Sequence, residues 1–259
     1  MIYIVENTGS CVDVKFVEKT WYISFLGDDI KQYEVVKLRF HWGSMKSHGS
    51  EHTIDGKGYA AEVQLIAYNS YLYKSYEEAA RKHNGLAILV ILLEQSRNVP
   101  FLETVVGRSF GVTAGLYEVL KPFTEYKGLK PFNLSRVMEL VDTSQYYRYW
   151  GSMTEPPCTQ NVMWTIFMQP NKIHILQIHI LRSIQFPKSE MLNNMLDNYR
   201  PQTSLKPRPG SLPREVYATS RAYPMCTGLY YLMVFLLIIT QLPLNPESCA
   251  LSPKTTNSS

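Results

Sequence analysis

Over residues 12–185 apolar and polar positions alternate mostly with the period of a strand. Val36, Leu38, Phe40 and Trp42 interleave with Lys37, Arg39 and His41, which predicts one strand with an apolar face. Residues 59–69 alternate likewise, with Glu62, Gln64 and Ile66 on one face and Ala61, Val63 and Leu65 on the other. Residues 85–93 form an unbroken apolar run after Asn84, as expected of a strand buried on both faces. Residues 162–168 and 173–180 read as further strands or core segments. Helical signals are short, the clearest being residues 75–83 with Glu77 and Glu78 in the first turn. The pattern predicts a mainly β domain with short helices. It begins as though inside a strand, and no basic start leads into an apolar run and cleavage site, so no signal peptide is visible.

Past residue 200 the texture changes. Residues 201–213 are rich in proline and basic side chains, the mark of an extended wrap or linker. Residues 225–244 are apolar at their centre, and residues 245–259 form a polar tail. The expected layout is a domain over residues 1–222, a membrane span or anchor at 225–244 (or else a buried core segment), and the tail.

Composition narrows the field a little. The chain has 259 residues, 45% hydrophobic and 19% charged, which describes a globular domain. A net charge of +4 is too weak a bias to argue for nucleic acid, and no nucleic-acid partner is expected. The 4 cysteines form no CxxC pair and are too sparse for a disulfide scaffold.

Three blocks carry chemistry. Residues 39–69 read RFHWGSMKSHGSEHTIDGKGYAAEVQLIAYN, residues 146–158 read YYRYWGSMTEPPC, and residues 197–201 read DNYRP. In this order and spacing they resemble the α-carbonic anhydrases over about residues 4–220. The resemblance implies a large, twisted, mostly antiparallel sheet with a conical pocket. It also implies that the family's opening segment has no counterpart here, so that the domain is N-terminally incomplete.

The chemistry of that family needs Zn²⁺ on three neutral imidazoles, with a fourth position open. The ion brings a bound water's pKa from about 15.7 to about 7, giving a hydroxide that attacks CO₂. By resemblance the ligand positions here are Arg39, His41 and Gln64, so His41 is the only retained ligand. A guanidinium has no lone pair for a metal and repels a dication, and an amide oxygen suits harder ions than zinc. No zinc or other cofactor is therefore expected. Were the chain active after all, it would be a zinc-dependent carbonic anhydrase (carbonate dehydratase, a lyase).

Other positions match better. Glu62 falls where the family's carboxylate orients the third ligand, and Glu51 and Thr154 where a pair orients the bound water. Ile66, Ile88, Met153 and Trp164 match the apolar wall of the CO₂ pocket, while Glu155 replaces a threonine on the product's way out. The proton-shuttle position is Ser10, which cannot titrate near neutral pH. Arg39 is expected to fill the vacated metal cavity and to pair with Glu62 or reach Gln64.

The Arg39 and Gln64 replacements are similar to those of the carbonic anhydrase-related proteins ten and eleven, secreted members without catalysis. That resemblance implies an extracellular domain, secreted or membrane-anchored, binding a protein or a glycan, with attachment to a membrane possible through 225–244. In such a setting Asn133 would be a glycosylation acceptor, since Ser135 completes its sequon. Cys158 matches a cysteine whose family partner lies in the absent segment, which leaves it unpaired unless Cys11, which has no family counterpart, substitutes. His52 reads as a hydrogen-bonded structural histidine and His48 as a solvated one. His174 and His179 read as ordinary surface or core residues. The basic stretches at 81–83 and 206–214 are solvated surface, or else contacts for a sulfated polysaccharide.

Overall fold

Two neighbouring strands set the frame, β5 (Ala61–Asn69) and β6 (Leu86–Ser96), antiparallel to each other and buried on both faces. Ala61, Val63, Leu65 and Ala67 join Ala87, Leu89, Ile91 and Leu93 in the larger core cluster. Ile66, Tyr68, Leu86, Ile88, Val90 and Leu92 belong to a second cluster. The period-two alternation of the sequence is thus a division between the sheet's two sides. Burying one large apolar side chain contributes about 1.5–3 kcal/mol, so these strands anchor the domain.

The computed structural model describes residues 2–25, 32–108, 111–187 and 194–201, with the backbone of two further strands at 216–219 and 226–227. The chain opens on β1 (Tyr3–Asn7), β2 (Val12–Phe16), β3 (Tyr22–Ser24) and β4 (Gln32–Trp42). After β5 and β6 come β7 (Glu125–Leu129), β8 (Tyr146–Gly151), β9 (Val162–Phe167), β10 (Asn171–His174), β11 (Val216–Thr219) and β12 (Cys226–Thr227). They form one sheet in the order β11-β8-β9-β6-β5-β4-β2-β1-β7, with β3 also on β4, β12 on β3 and β10 on β6. The β6–β9 and β6–β10 pairings are parallel and the others antiparallel. Among the described residues the helices are short: α1 (Tyr76–Ala79), α2 (Val105–Arg108), α3 (Gly111–Glu118), α4 (Leu134–Met138) and α5 (Ile175–Ser183). None is long and apolar enough to cross a membrane.

Two sequence expectations need correction. Residues 173–180 do not continue as a strand: β10 ends at His174, which caps α5 with its side chain in a capping box with Gln177. Val36 does not share a face with Leu38, because the β4–β5 register shifts between Val35 and Lys37 and turns Val36 to the second cluster. Beyond that bulge, Lys37, Arg39 and His41 face the same side as Ile66, Gln64 and Glu62, their respective neighbours on β5. The proposed membrane segment 225–244 lies outside the described residues except for Cys226–Thr227, which pair with β3. The basic stretch 206–214 and the tail also lie outside them.

Candidate functional site

The loop joining β4 to β5 folds back over the strand ends. Gly43 is required there, since a Cβ would lie 1.4 Å from the His48 carbonyl oxygen. Ser50 fixes the turn by donating to the His52 carbonyl (2.6 Å) and accepting from the Tyr59 N–H (3.0 Å). The DNYRP block closes the same end. Asn198 Oδ1 accepts from the Trp42 N–H (2.7 Å), Asp197 Oδ1 from the Ser44 N–H (2.9 Å), and Glu51 Oε1 from the Arg200 N–H (3.0 Å).

Arg39, 2% exposed, stands opposite Asp13 of β2 in the sheet register. Its Nε and Nη2 donate to Asp13 Oδ1 (2.7 Å) and Oδ2 (2.8 Å), a bidentate pair, and Lys37 Nζ donates to the same Oδ2 (2.8 Å). The third nitrogen, Nη1, lies 2.6 Å from Glu155 Oε1, an ion pair whose angle does not make it a hydrogen bond. The expected partnership of Arg39 with Glu62 or Gln64 is therefore wrong. Burial opposes the guanidinium's charge, but the hydrogen bonds and field of Asp13 outweigh it and hold the Arg39 pKa well above its usual value. Burial likewise opposes the Asp13 carboxylate, and Arg39 then Lys37 pull its pKa far below the ordinary 3.8. Cys11, whose Sγ is 3.7 Å from Asp13 Oδ1, is pushed up to about 12 by burial and then by that carboxylate, so it is no nucleophile.

Glu62 serves His52. Its Oε1 accepts from His52 Nδ1 (2.9 Å) and its Oε2 from the His52 N–H (2.9 Å). His52 Nε2 lies 2.8 Å from the Tyr149 hydroxyl, so His52 is a structural, hydrogen-bonded residue. Gln64 Nε2 donates to Glu51 Oε2 (2.8 Å) and Glu62 Oε1 (3.0 Å). With Glu51 so engaged, no hydrogen bond joins it to Thr154 among the described residues. His41 Nδ1 donates to the Asn198 carbonyl (2.8 Å), which leaves Nε2 as the ring nitrogen able to carry a lone pair. That Nε2 is buried without a hydrogen-bond partner, 3.7 Å from Glu51 Oε2.

Ile66, Ile88, Met153 and Trp164 pack in one apolar cluster beside this polar group, and the Trp164 indole donates to the Ser152 carbonyl (3.2 Å). Ser10 sits exposed in the turn before β2. Cys158 and Cys11 are both free. Asn133 is exposed and caps α4, its Oδ1 accepting from the Ser135 N–H (2.9 Å). His179 is exposed on α5. Sequence reasoning missed Asp13, Lys37, Tyr149 and the Asn198 carbonyl. A carboxylate between Val12 and Val14 was the one available signal among them.

A metal-dependent reading can be tested on this donor set. Arg39 presents no lone pair and is spoken for by two carboxylates, while Gln64 turns its amide nitrogen toward two others. His41 alone retains an available imidazole nitrogen, and one imidazole does not make a tetrahedral zinc site. Among the described residues no group of three or more His, Cys, Asp or Glu is arranged to hold a metal.

The profile of the eukaryotic-type carbonic anhydrases matches residues 2–210. The chain belongs to the eukaryotic-type carbonic anhydrase family. It is 31% identical to the mitochondrial carbonic anhydrase 5A of Homo sapiens over 84% of its own length and 67% of that protein. It is 32% identical to carbonic anhydrase 7 of Mus musculus, covering 79% of this chain and 74% of that one. To carbonic anhydrase 12 of Homo sapiens it is 34% identical over 63% of this chain and 46% of that one. The mainly β sheet with few short helices agrees with the carbonic anhydrase fold.

The buried ion pairs of this carbonic anhydrase fold set its pH response. Asp13 and Glu62 have depressed pKa values, so their stabilisation is present above the ordinary 3.8 and 4.5 and is lost as the pH falls toward the folded values. Burial opposes the charge on His52, yet Glu62 raises its pKa, so that contribution is full below the ordinary 6.5 and is lost as the pH climbs through the raised value. Urea midpoints measured across pH should peak between 4.5 and 6.5. A stability still rising above that window would show that His52 is not held in its charged form.

Proposed function

We propose that this chain is a non-catalytic member of the carbonic anhydrase family that acts as a binding module outside the cell, secreted or tethered to a membrane. The observation that carries the reading is the Arg39 guanidinium, fixed by Asp13 and Glu155 at the first metal-ligand position. A permanent cation there repels a zinc ion and cannot be removed by deprotonation. The combination of an arginine at 39 and a glutamine at 64, at the positions matched to metal ligands, is similar to that of carbonic anhydrase-related proteins ten and eleven. The partner in this reading is an extracellular protein or glycan, and Asn133, exposed on its helix cap, would be open to glycosylation.

A second reading is a zinc-dependent carbonic anhydrase catalysing reversible hydration of CO₂. One observation favours it: His41 is oriented through Nδ1 by a carbonyl and leaves Nε2 unpartnered, as a metal-ligating histidine does. Elemental analysis of the purified chain, alongside stopped-flow CO₂ hydration, separates the two. The expected result is far less than one zinc per chain and no hydration above the buffer rate. Stoichiometric zinc with sulfonamide-sensitive hydration would establish the second reading instead.

A further inference from the structure

The Arg39 cluster joins two cations, Arg39 and Lys37, to two carboxylates, Asp13 and Glu155. The carboxylates are not equivalent. The Asp13 side chain is 2% exposed and takes two aligned hydrogen bonds from Arg39, whereas the Glu155 side chain is 42% exposed and meets Nη1 off-axis. Glu155 belongs to the loop between β8 and β9, whose backbone is pinned by the Cys158 N–H on the Glu155 carbonyl (2.8 Å). Its side chain therefore borders solvent from a loop held at the backbone. Its departure would leave one positive charge of the cluster unbalanced beside a buried nitrogen, Nη1, a costly state unless another anion enters.

We propose that Arg39 forms a carboxylate-binding site whose resident ligand is the chain's own Glu155, and that an acidic side chain of a protein partner displaces it. This deepens the non-catalytic reading and rests on it, because a metal ion at that position would exclude the guanidinium. The incoming group must fit the space of one glutamate side chain. That favours a carboxylate on a narrow, flexible stem over a uronate, whose carboxylate is attached directly to a sugar ring. Tyr76 adds a further polar group. Its ring packs with the second apolar cluster, and its hydroxyl feels Arg39, Glu155 and Asp13. Burial first, against the pull of Arg39, pushes that hydroxyl up to about 12, so it stays protonated and able to donate.

Acetate serves as the probe. It is titrated against the full chain at constant ionic strength while the Arg39 guanidinium resonances are followed by NMR, with zinc content measured on the same sample. A tethered carboxylate competes at high effective concentration, so Glu155→Ala should bind acetate at least about tenfold more tightly than the native chain. Glu155→Gln keeps the space filled and leaves an amide oxygen facing Nη1, and it should gain nothing. Chloride and glucuronate should not reproduce the acetate response. No acetate response in Glu155→Ala beyond that of chloride overturns the site, and an equal response to glucuronate overturns the assignment to an acidic side chain. Stoichiometric zinc in the sample would defeat the non-catalytic reading and this inference together, whereas a zinc-free sample without an acetate response defeats this inference alone.

Discussion

Replacing Asp13 with asparagine should destabilise the folded chain by about 3–5 kcal/mol, the usual cost of removing one partner from a buried ion pair. Asp13 is the bidentate acceptor for Arg39 and also takes the Lys37 ammonium. Lys37 can turn its head to water when released, but Arg39, 3% exposed at its side chain, cannot. Glu155 would remain as its only carboxylate, off-axis and half in solvent. Chemical denaturation of Asp13→Asn beside Asp13→Asn/Arg39→Met checks the cause. The double variant removes both charges, leaving a neutral amide and a thioether in their place, and should recover most of the loss. If the double variant is as unstable as the single one, the pair is not what Asp13 contributes. Reversing the charge at Glu62 would not discriminate, since Glu62 holds His52 and Gln64 rather than Arg39.

The partner of Arg39 was hidden by register, whereas the sides of β5 and β6 were open to reading. Those strands alternate without a break, and the alternation alone separates Val63 and Leu65 from Gln64 and Ile66. Choosing Asp13 over Glu62 requires knowing that β4 meets β2 along Lys37–Phe40 and β3 along Gln32–Glu34. Nothing in the alternation of β4 says which neighbour falls where. Glu62 was the nearer guess because it shares a strand and a face with Gln64, but in the register it stands opposite His41. The strand-or-core ambiguity at α5 has another source. In residues 173–180 isoleucines recur at spacings that suit a strand or a helix, and the cap that decides the matter is His174 rather than a serine, threonine, aspartate or asparagine. The α-carbonic anhydrase blocks assigned the ligand positions by resemblance without any of this, because that assignment follows motifs and not pairing.

On the non-catalytic reading, placing histidine at positions 39 and 64, with asparagine at 13, should give a chain that retains stoichiometric zinc through desalting. Arg39 and His41 lie two apart on β4 and Gln64 faces Arg39 from β5, so three imidazoles would project from one side of the sheet. His41 needs no change, since its Nδ1 is already held by the Asn198 carbonyl and its Nε2 is unpartnered. Glu62 accepts a hydrogen bond from the side chain at 64 now and could accept one from an imidazole N–H there. Asp13→Asn belongs in the variant because a neutral histidine at 39 would strip that buried carboxylate of its main counter-charge. Adding Glu62→Gln to the restored set should weaken zinc binding by roughly 10–100-fold, the usual effect of losing a carboxylate that orients a metal-bound histidine. Equilibrium dialysis with elemental analysis reads both effects, and circular dichroism confirms that each variant is folded. A folded triple variant that keeps no zinc would mean that Arg39 and Gln64 are not what bars the ion, and the pocket would have to exclude it by shape.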